Sequence, residues 1–270
     1  MEAVFSFLRE QTRENLLPWP VQTAAAQRFA LSLATVERLA LERGLLPARY
    51  QRNRNMISTA DQLRLFQSTV AVIGCGGLGG YILEALARLG VGHLVAVDPD
   101  AFEEHNLNRQ LLCTPALLGQ PKVDAAAERL AEINPAVSLT PVHAPFARRN
   151  AADLLSGVHV VVDALDDIAV RLELAECCAT LGIALVHGAI AGWYGQVTTQ
   201  FPGEDTLAKS YARSGQGIER ELGNPSFTPA LVASLEAAEV CKILLGRGTL
   251  LRRRTLTIDL LEMDFFTTEA

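Results

Sequence analysis

A chain of 270 residues can close one large α/β core, burying about three quarters of the surface its unfolded form exposes, so neither metal nor disulfide is needed to hold it together. With 49% hydrophobic and 20% charged residues it is too apolar for disorder, and its 20 Gly and 12 Pro follow no fibrous repeat. A net charge of −6 argues against broad nucleic-acid binding, because no basic domain exists to neutralise a run of phosphates, while a local phosphate ligand stays open.

No apolar run reaches the roughly 18 residues of a membrane span, and the first residues lack the basic-then-apolar order of a secretion signal. The expectation is a soluble, cytoplasmic protein with no membrane partner. Cys75, Cys113, Cys177, Cys178 and Cys241 are an odd count, read as reduced thiols.

In chain order, residues 1–48 read as a helical extension. Pro18-Trp19-Pro20 interrupts the chain, and Val21 to Arg43 then reads as one helix, with Phe29, Leu33, Val36 and Leu39 three or four apart, ended by Gly44 and Pro47. The segment carries no catalytic constellation and is expected to pack or dimerise. Residues 49–270 form the second unit. From Thr69 short β-rich runs alternate with helical stretches, the signature of a Rossmann-like α/β fold: a mainly parallel, twisted sheet with helices on both faces.

Predicted strands are Thr69 to Ile73, His93 to Val97, Val137 to Val142, His159 to Asp163, Ile183 to His187, Tyr194 to Phe201 and a closing Leu250 to Leu260. Predicted helices are Gly80 to Leu89, Lys122 to Ile133, Arg149 to Leu155, Ala169 to Leu181 and Thr228 to Leu245. Pro202 to Pro225 has four glycines, mixed charge and no steady period, and reads as a long loop over the site.

Chemistry concentrates at strand ends. Val70-Ala71-Val72-Ile73 runs into Gly74-Cys75-Gly76-Gly77-Leu78-Gly79-Gly80 and then a helix, the strand-turn-helix context in which a G-x-G-x-x-G cradles phosphate on free N–H groups and a positive dipole end. The second strand ends at Asp98, placed to accept from ribose hydroxyls. This pair alone says nucleotide and leaves dehydrogenase, other nucleotide use and a structural turn all open.

The next segment decides against hydride transfer. Asn106-Leu107-Asn108-Arg109-Gln110 and Gly119-Gln120-Pro121-Lys122 put two cations beside a nucleotide's phosphates, where negative charge spreads as pyrophosphate departs. Arg109 offers a planar fork of donors and Lys122 a point charge. Val160-Val161-Val162-Asp163-Ala164-Leu165-Asp166-Asp167 ends an apolar strand in carboxylates. Asp166 is the candidate Mg²⁺ ligand, while Asp163 and Asp167 are equally well read as helix caps.

Together these residues resemble the ThiF/MoeB/HesA superfamily, adenylyltransferases related to ubiquitin-activating enzymes. The likeness runs from about Arg49 to Leu245 and includes Arg49-Tyr50-Gln51-Arg52, the glycine turn, Asp98, NLNRQ, GQPK, DALDD, His187 to Thr198 and Gly-Asn-Pro-x-Phe-Thr-Pro. The resemblance implies attack of a ubiquitin-fold sulfur carrier's C-terminal glycine carboxylate, from a Gly-Gly end, on ATP. It implies Gly74, Gly76, Gly77 and Gly79 on the phosphates, Asp98 on the ribose, Asn106, Arg109, Gln110 and Lys122 on the triphosphate, and Asp166 on Mg²⁺. Arg52 would reach the other subunit's nucleotide, implying a homodimer.

Departures choose among relatives. Two C-x-x-C pairs that hold zinc in many members are missing, so no zinc is expected; Asp167 replaces a more usual Asn. Members that pass the carrier on covalently use a cysteine in the loop after Gly195-Gln196-Val197-Thr198, and Pro202 to Pro225 contains none. Either the enzyme stops at the acyl-adenylate, leaving a persulfide donor to deliver sulfur, or a remote thiol serves, with Cys177, Cys178 and Cys241 read as packing and little covalent role for Cys75 or Cys113. His187 reads as a satisfied structural histidine. Trp193 and Tyr194 read as packing residues or as the frame of a channel, and Lys209 and Arg213 as solvated charges. Alternatives are adenylation of a tRNA base or a peptide C-terminus, a non-catalytic nucleotide scaffold, and a Rossmann oxidoreductase.

Overall fold

The computed structural model describes residues 1–212 and 222–269. Three helices open the chain: α1 (Glu2–Glu10), α2 (Trp19–Phe29) and α3 (Leu33–Glu42). The single helix expected over Val21 to Arg43 is therefore two. Ala30 turns into the left-handed region (φ 50°), and Ser32 restarts the helix by accepting from the backbone N–H of Thr35. Val4, Leu8, Leu17, Ala25, Val36 and Leu45 form a core of their own here. Two short parallel strands, β1 (Leu16–Leu17) and β2 (Leu46–Pro47), pin the segment's ends together.

Helix α4 (Thr59–Phe66), capped by a Ser58–Asp61 box, leads into the main sheet. Its first strands are β3 (Thr69–Ile73), β4 (His93–Val97), β5 (Ser138–Val142), β6 (Val160–Asp163) and β7 (Ala184–Ala191), all parallel, in spatial order 5-4-3-6-7. The helices α5 (Gly79–Leu89), α6 (Lys122–Ile133), α7 (Arg148–Leu154) and α8 (Ile168–Leu181) are the crossovers parallel strands require. β5 is the exposed edge and tolerates Pro141.

The sheet continues antiparallel through β8 (Tyr194–Gln200), β9 (Arg254–Asp259) and β10 (Asp264–Glu269). The last strand was not read from sequence; all six of its residues are exposed, so no inward-outward alternation marks it. Within Pro202 to Pro225, expected to be loop throughout, Thr206–Ala212 is a helix, α9. The long helix α10 (Phe227–Leu245) closes the fold.

Alternate residues of β3 feed opposite cores. Val70 and Val72 pack with Ile82, Leu86, Val232 and Val240 on the α5/α6/α10 face, while Ala71 and Ile73 pack with Leu174, Cys178 and Leu207 on the α7/α8/α9 face. Burial on both faces makes the strands continuously apolar. Among the described residues no helix is long and apolar enough to cross a membrane.

Candidate functional site

A cavity of about 530 Å³ opens at the carboxyl ends of the parallel strands, where open α/β sheets bind ligands. Its floor is the turn between β3 and α5. Gly74 sits at φ +98°, and a Cβ there would lie 2.5 Å from the Ala164 carbonyl oxygen at the end of β6; a Cβ on Gly79 would lie 1.9 Å from the Gly74 carbonyl oxygen. The turn is thus pressed against the neighbouring strand end and against itself. Gly74, Gly76 and Gly77 line the cavity, whereas Gly79 is buried beneath it as a packing glycine.

The wall from β4 is anionic at its root. Asp98 is buried; its Oδ2 accepts from the Cys75 N–H at 2.6 Å and its Oδ1 from the Asp100 N–H at 2.8 Å. Burial pushes its carboxyl above the usual range, against the pull of Lys122. These bonds leave lone pairs on both oxygens for a ribose. Lys122, at the first turn of α6 and itself buried, donates to Asp100 Oδ2 at 2.8 Å and stands 3.9 Å from Asp98 Oδ1. Asp100, which the sequence reading left without a role, is therefore the direct partner of the cavity's lysine.

Arg109 and Gln110 follow a short 3₁₀ turn, Glu104–Asn106, and both line the cavity. Arg109 is half-buried, with Nη1 donating to the His105 carbonyl at 3.0 Å and to Asn108 Oδ1 at 2.9 Å. An added Cβ on Gly77 would come within 3.9 Å of Arg109 Nε, so the guanidinium stands beside the glycine turn. Gln110 Nε2 lies 3.5 Å from the corresponding point on Gly76, and its buried Oε1 has no hydrogen-bond partner. Asn106 is placed differently: it does not line the cavity, and its Oδ1 accepts from the Glu103 N–H, holding the turn that presents Arg109.

At the end of β6 three carboxylates diverge. Asp166 is exposed on the cavity wall. Asp167 caps α8, accepting from the N–H groups of Ala169 and Val170 at 2.8 and 3.1 Å. Asp163 does not cap the helix. It is fully buried, accepting from the Leu165 N–H at 3.0 Å and standing 2.7 Å from His187 Nδ1. His187 Nε2 in turn meets the Tyr211 hydroxyl at 3.2 Å, so this histidine is satisfied within the structure.

Arg171 is the residue that sequence reasoning missed here. Buried in α8 yet lining the cavity, it donates from Nε to the Leu165 carbonyl at 2.9 Å and from Nη1 to the Tyr211 hydroxyl at 2.6 Å, fixing the loop that carries Asp166. Its signal was a lone cation in the apolar run Ile168-Ala169-Val170-Arg171-Leu172. Pro145, Phe146 and Val170, also unread, give the cavity an apolar end.

Other expected residues lie apart. Arg52 is exposed in the turns before α4 and does not line the cavity. Trp193 and Tyr194 are not packed inside: both are exposed, and the Trp193 ring rests 4.5 Å from Phe227. Lys209 pairs with Asp205 at 3.0 Å, and Arg213 lies outside the described residues. All five cysteines are free thiols. Burial raises Cys75, lifts Cys178 to about 12 and Cys241 to about 11, and is the first cause of the upward shifts at Cys113 and Cys177. Among the described residues no three metal-binding side chains cluster.

A model of the ThiF family matches residues 50–270. The chain is 37% identical to a SAMP-activating enzyme E1 of Haloferax volcanii over 81% of its own length and 83% of that protein. It is 35% identical to a sulfur carrier protein adenylyltransferase of Thermus thermophilus, over 77% of this chain and 81% of the relative. It is also 35% identical to the adenylyltransferase and sulfurtransferase MOCS3 of Arabidopsis thaliana, of which it spans 50%. Among solved structures, selenomethionine PaaA superposes with a TM-score of 0.71 at 21% identity, covering 88% of this chain and 91% of that one. E. coli MccB with ATP gives 0.67 at 19% identity over 92% and 82%; at these identities both likenesses speak for the fold.

Proposed function

Because the chain belongs to the ThiF family, we infer that it is an adenylyltransferase acting on a ubiquitin-fold sulfur carrier. The carboxylate of the carrier's C-terminal glycine attacks the α-phosphorus of ATP; the new O–P bond makes a mixed acyl–phosphate anhydride, and the bond between the α-phosphorus and the α,β-bridging oxygen breaks to release pyrophosphate. The observation that carries this reading is the convergence of the glycine turn, Arg109, Lys122 and Asp166 on one cavity.

The residues match the chemistry. A carboxylate nucleophile is already ionised at neutral pH, so catalysis rests on positioning and on cations set where charge develops. Gly76 and Gly77 admit the phosphates close to the backbone, and Arg109 and Lys122 hold the phosphate oxygens. Lys122 exchanges Asp100 for phosphate as it does so. Asp98 takes the ribose, and the apolar end at Pro145, Phe146 and Val170 takes the base.

One exposed carboxylate, Asp166, in no cluster of three ligands among the described residues, fits Mg²⁺, which keeps few protein ligands and shares the phosphates of its nucleotide. Bound there, the cation supplies charge neutralisation at the phosphates. The exposed Arg52 is read as serving the neighbouring subunit's cavity in a homodimer. Residues 1–270 hold no paired C-x-x-C, which supports a zinc-free chain, and the thiols raised by burial support release of the acyl-adenylate to a persulfide donor.

Carrier-dependent ATP–pyrophosphate exchange tests the reading. Exchange with a Gly-Gly-ending ubiquitin-fold carrier is the expected result; exchange only with RNA or a short peptide, or none with any acceptor, would overturn it.

A further inference from the structure

The strap just before α10, Gly223-Asn224-Pro225, borders the cavity, and Gly223 and Asn224 line it. The strap is anchored by two hydrogen bonds, with a third just beyond it. The Gly192 N–H donates to the Gly223 carbonyl at 2.7 Å, Asn108 Nδ2 donates to the Asn224 carbonyl at 3.1 Å, and the Thr228 hydroxyl, just beyond it, donates to the Gly192 carbonyl at 2.6 Å. Asn108 is also the residue that holds Arg109. Asn224 is therefore fixed at the end of the cavity where Arg109 and the glycine turn lie, away from the apolar end at Phe146.

Despite this anchoring, the side-chain Oδ1 of Asn224 is buried without any hydrogen-bond partner. A buried amide oxygen left unpaired costs the desolvation that a bond would have offset, so a polar group held this way in a cavity wall is matched to a ligand. The ligand must bring a proton. Phosphates are acceptors and offer none, Asp98 faces the sugar, and the base with its amino group is assigned to the apolar end at Pro145, Phe146 and Val170. The remaining reactant is the carrier's tail, and a glycine tail has a single polar donor close to its reacting carboxylate, the N–H of its last peptide bond.

We propose that Asn224 is a substrate-binding residue that accepts the N–H of the carrier's terminal peptide bond and so holds the glycine carboxylate against the nucleotide's α-phosphate. The inference rests on the adenylylation reading above. It adds a selection rule: the site recognises a secondary amide next to a terminal carboxylate.

The test is a double-mutant cycle read by ATP–pyrophosphate exchange, using a Gly-Gly-ending carrier and the same carrier with its last glycine replaced by N-methylglycine, which lacks the N–H. With the unaltered protein, N-methylation is expected to lower kcat/KM about 10-fold, the worth of one hydrogen bond. Asn224→Ala is expected to raise KM for the glycine carrier about 10-fold, leave KM for ATP unchanged, and show no further penalty with the N-methylated carrier. A penalty that persists in Asn224→Ala, an unchanged carrier KM, or a shift confined to ATP overturns the proposal while leaving adenylylation standing. No exchange by the unaltered protein with any carrier overturns both.

Discussion

Helix α5 has a buried polar cluster at each end, and the two differ in how far their groups are paired and in whether they face a cavity. Near its C-terminus Glu37 accepts from Arg49 Nη1 and from the Tyr50 hydroxyl, both at 2.8 Å; Arg49 also donates to Gln22 and Asn134; and Asn134 donates to the Tyr50 oxygen at 2.8 Å and to the Ala87 carbonyl at 2.9 Å. Every group of this network is paired, although beside it Gln62, whose Nε2 donates to the Leu89 carbonyl at 2.8 Å, keeps a buried Oε1 without a partner; the network locks the N-terminal helices onto the sheet domain. Near its N-terminus, around the glycine turn, the buried oxygens of Gln110 and Asn224 are unpaired while cations stand beside them. A satisfied network is finished; an unsatisfied one on a cavity wall waits for a ligand.

Glu236 tests the limits of that contrast. On α10, fully buried, it has no partner for either oxygen, yet it does not line the cavity; its carboxyl packs on Gly188, where an added Cβ would lie 2.4 Å away. Burial pushes this carboxyl well above the ordinary value, with the charge of Asp163 adding to the shift.

The sharpest break of the comparison is at the cavity. Arg109→Ala or Asp166→Ala is expected to cut carrier-dependent exchange by about 100- to 1000-fold, the usual cost of removing one preorganised charge-stabilising group, with the thermal midpoint unchanged; near-normal exchange in either variant would strip that residue of its role. At the other end of α5 the effect should fall on stability. Glu37→Ala leaves the Arg49 guanidinium without its anion and is expected to cost about 3 kcal/mol in urea unfolding, with KM for ATP unaltered in the folded fraction. A loss of nucleotide affinity instead would mean that the two clusters are coupled.

Glu236→Gln is expected to raise the thermal midpoint by about 2–4 °C at pH 8. The folded carboxyl titrates above the ordinary glutamate value of 4.5, so its favourable contribution is present below that value and is lost as pH rises toward the raised one; the advantage of the variant should vanish near pH 4. An advantage independent of pH would point to packing. The smallest effect is at Asp100→Asn: freeing Lys122 from its carboxylate is expected to lower KM for ATP a few-fold and lower kcat, because the phosphate meets less competition and the ammonium is less well aimed. A rise in both constants would sink Asp100 as the holder of Lys122.

Much of this was legible from local pattern. The parallel strands carry unbroken apolar runs because both their faces are covered, and the crossover helices carry their period, so β3, β4, α6 and α10 fell within a residue or so of their expected bounds. Arg109, Lys122, Asp166 and three glycines of the turn, Gly74, Gly76 and Gly77, were named from the sequence and line the cavity, whereas Gly79, Asn106 and Arg52 do not. What escaped had no local signal. The exposed strand β10 lacks alternation, the break at Ala30 uses a residue that rarely turns left-handed, and Arg171 and Asn224 are ordinary residues until the fold carries them to the wall.

The sequence by itself determined the family, the order of the parallel strands and their crossover helices and which charged side chains crowd the glycine turn, because each is written in neighbours a few positions apart. Only the tertiary structure decided which of those polar groups are spent. Asn106 and Asp167 are consumed by backbone N–H groups, Asp163 by His187, and Gln110 and Asn224 are left open. Hydrogen-bond satisfaction depends on groups brought together from distant parts of the chain, so no reading of adjacent residues can settle it.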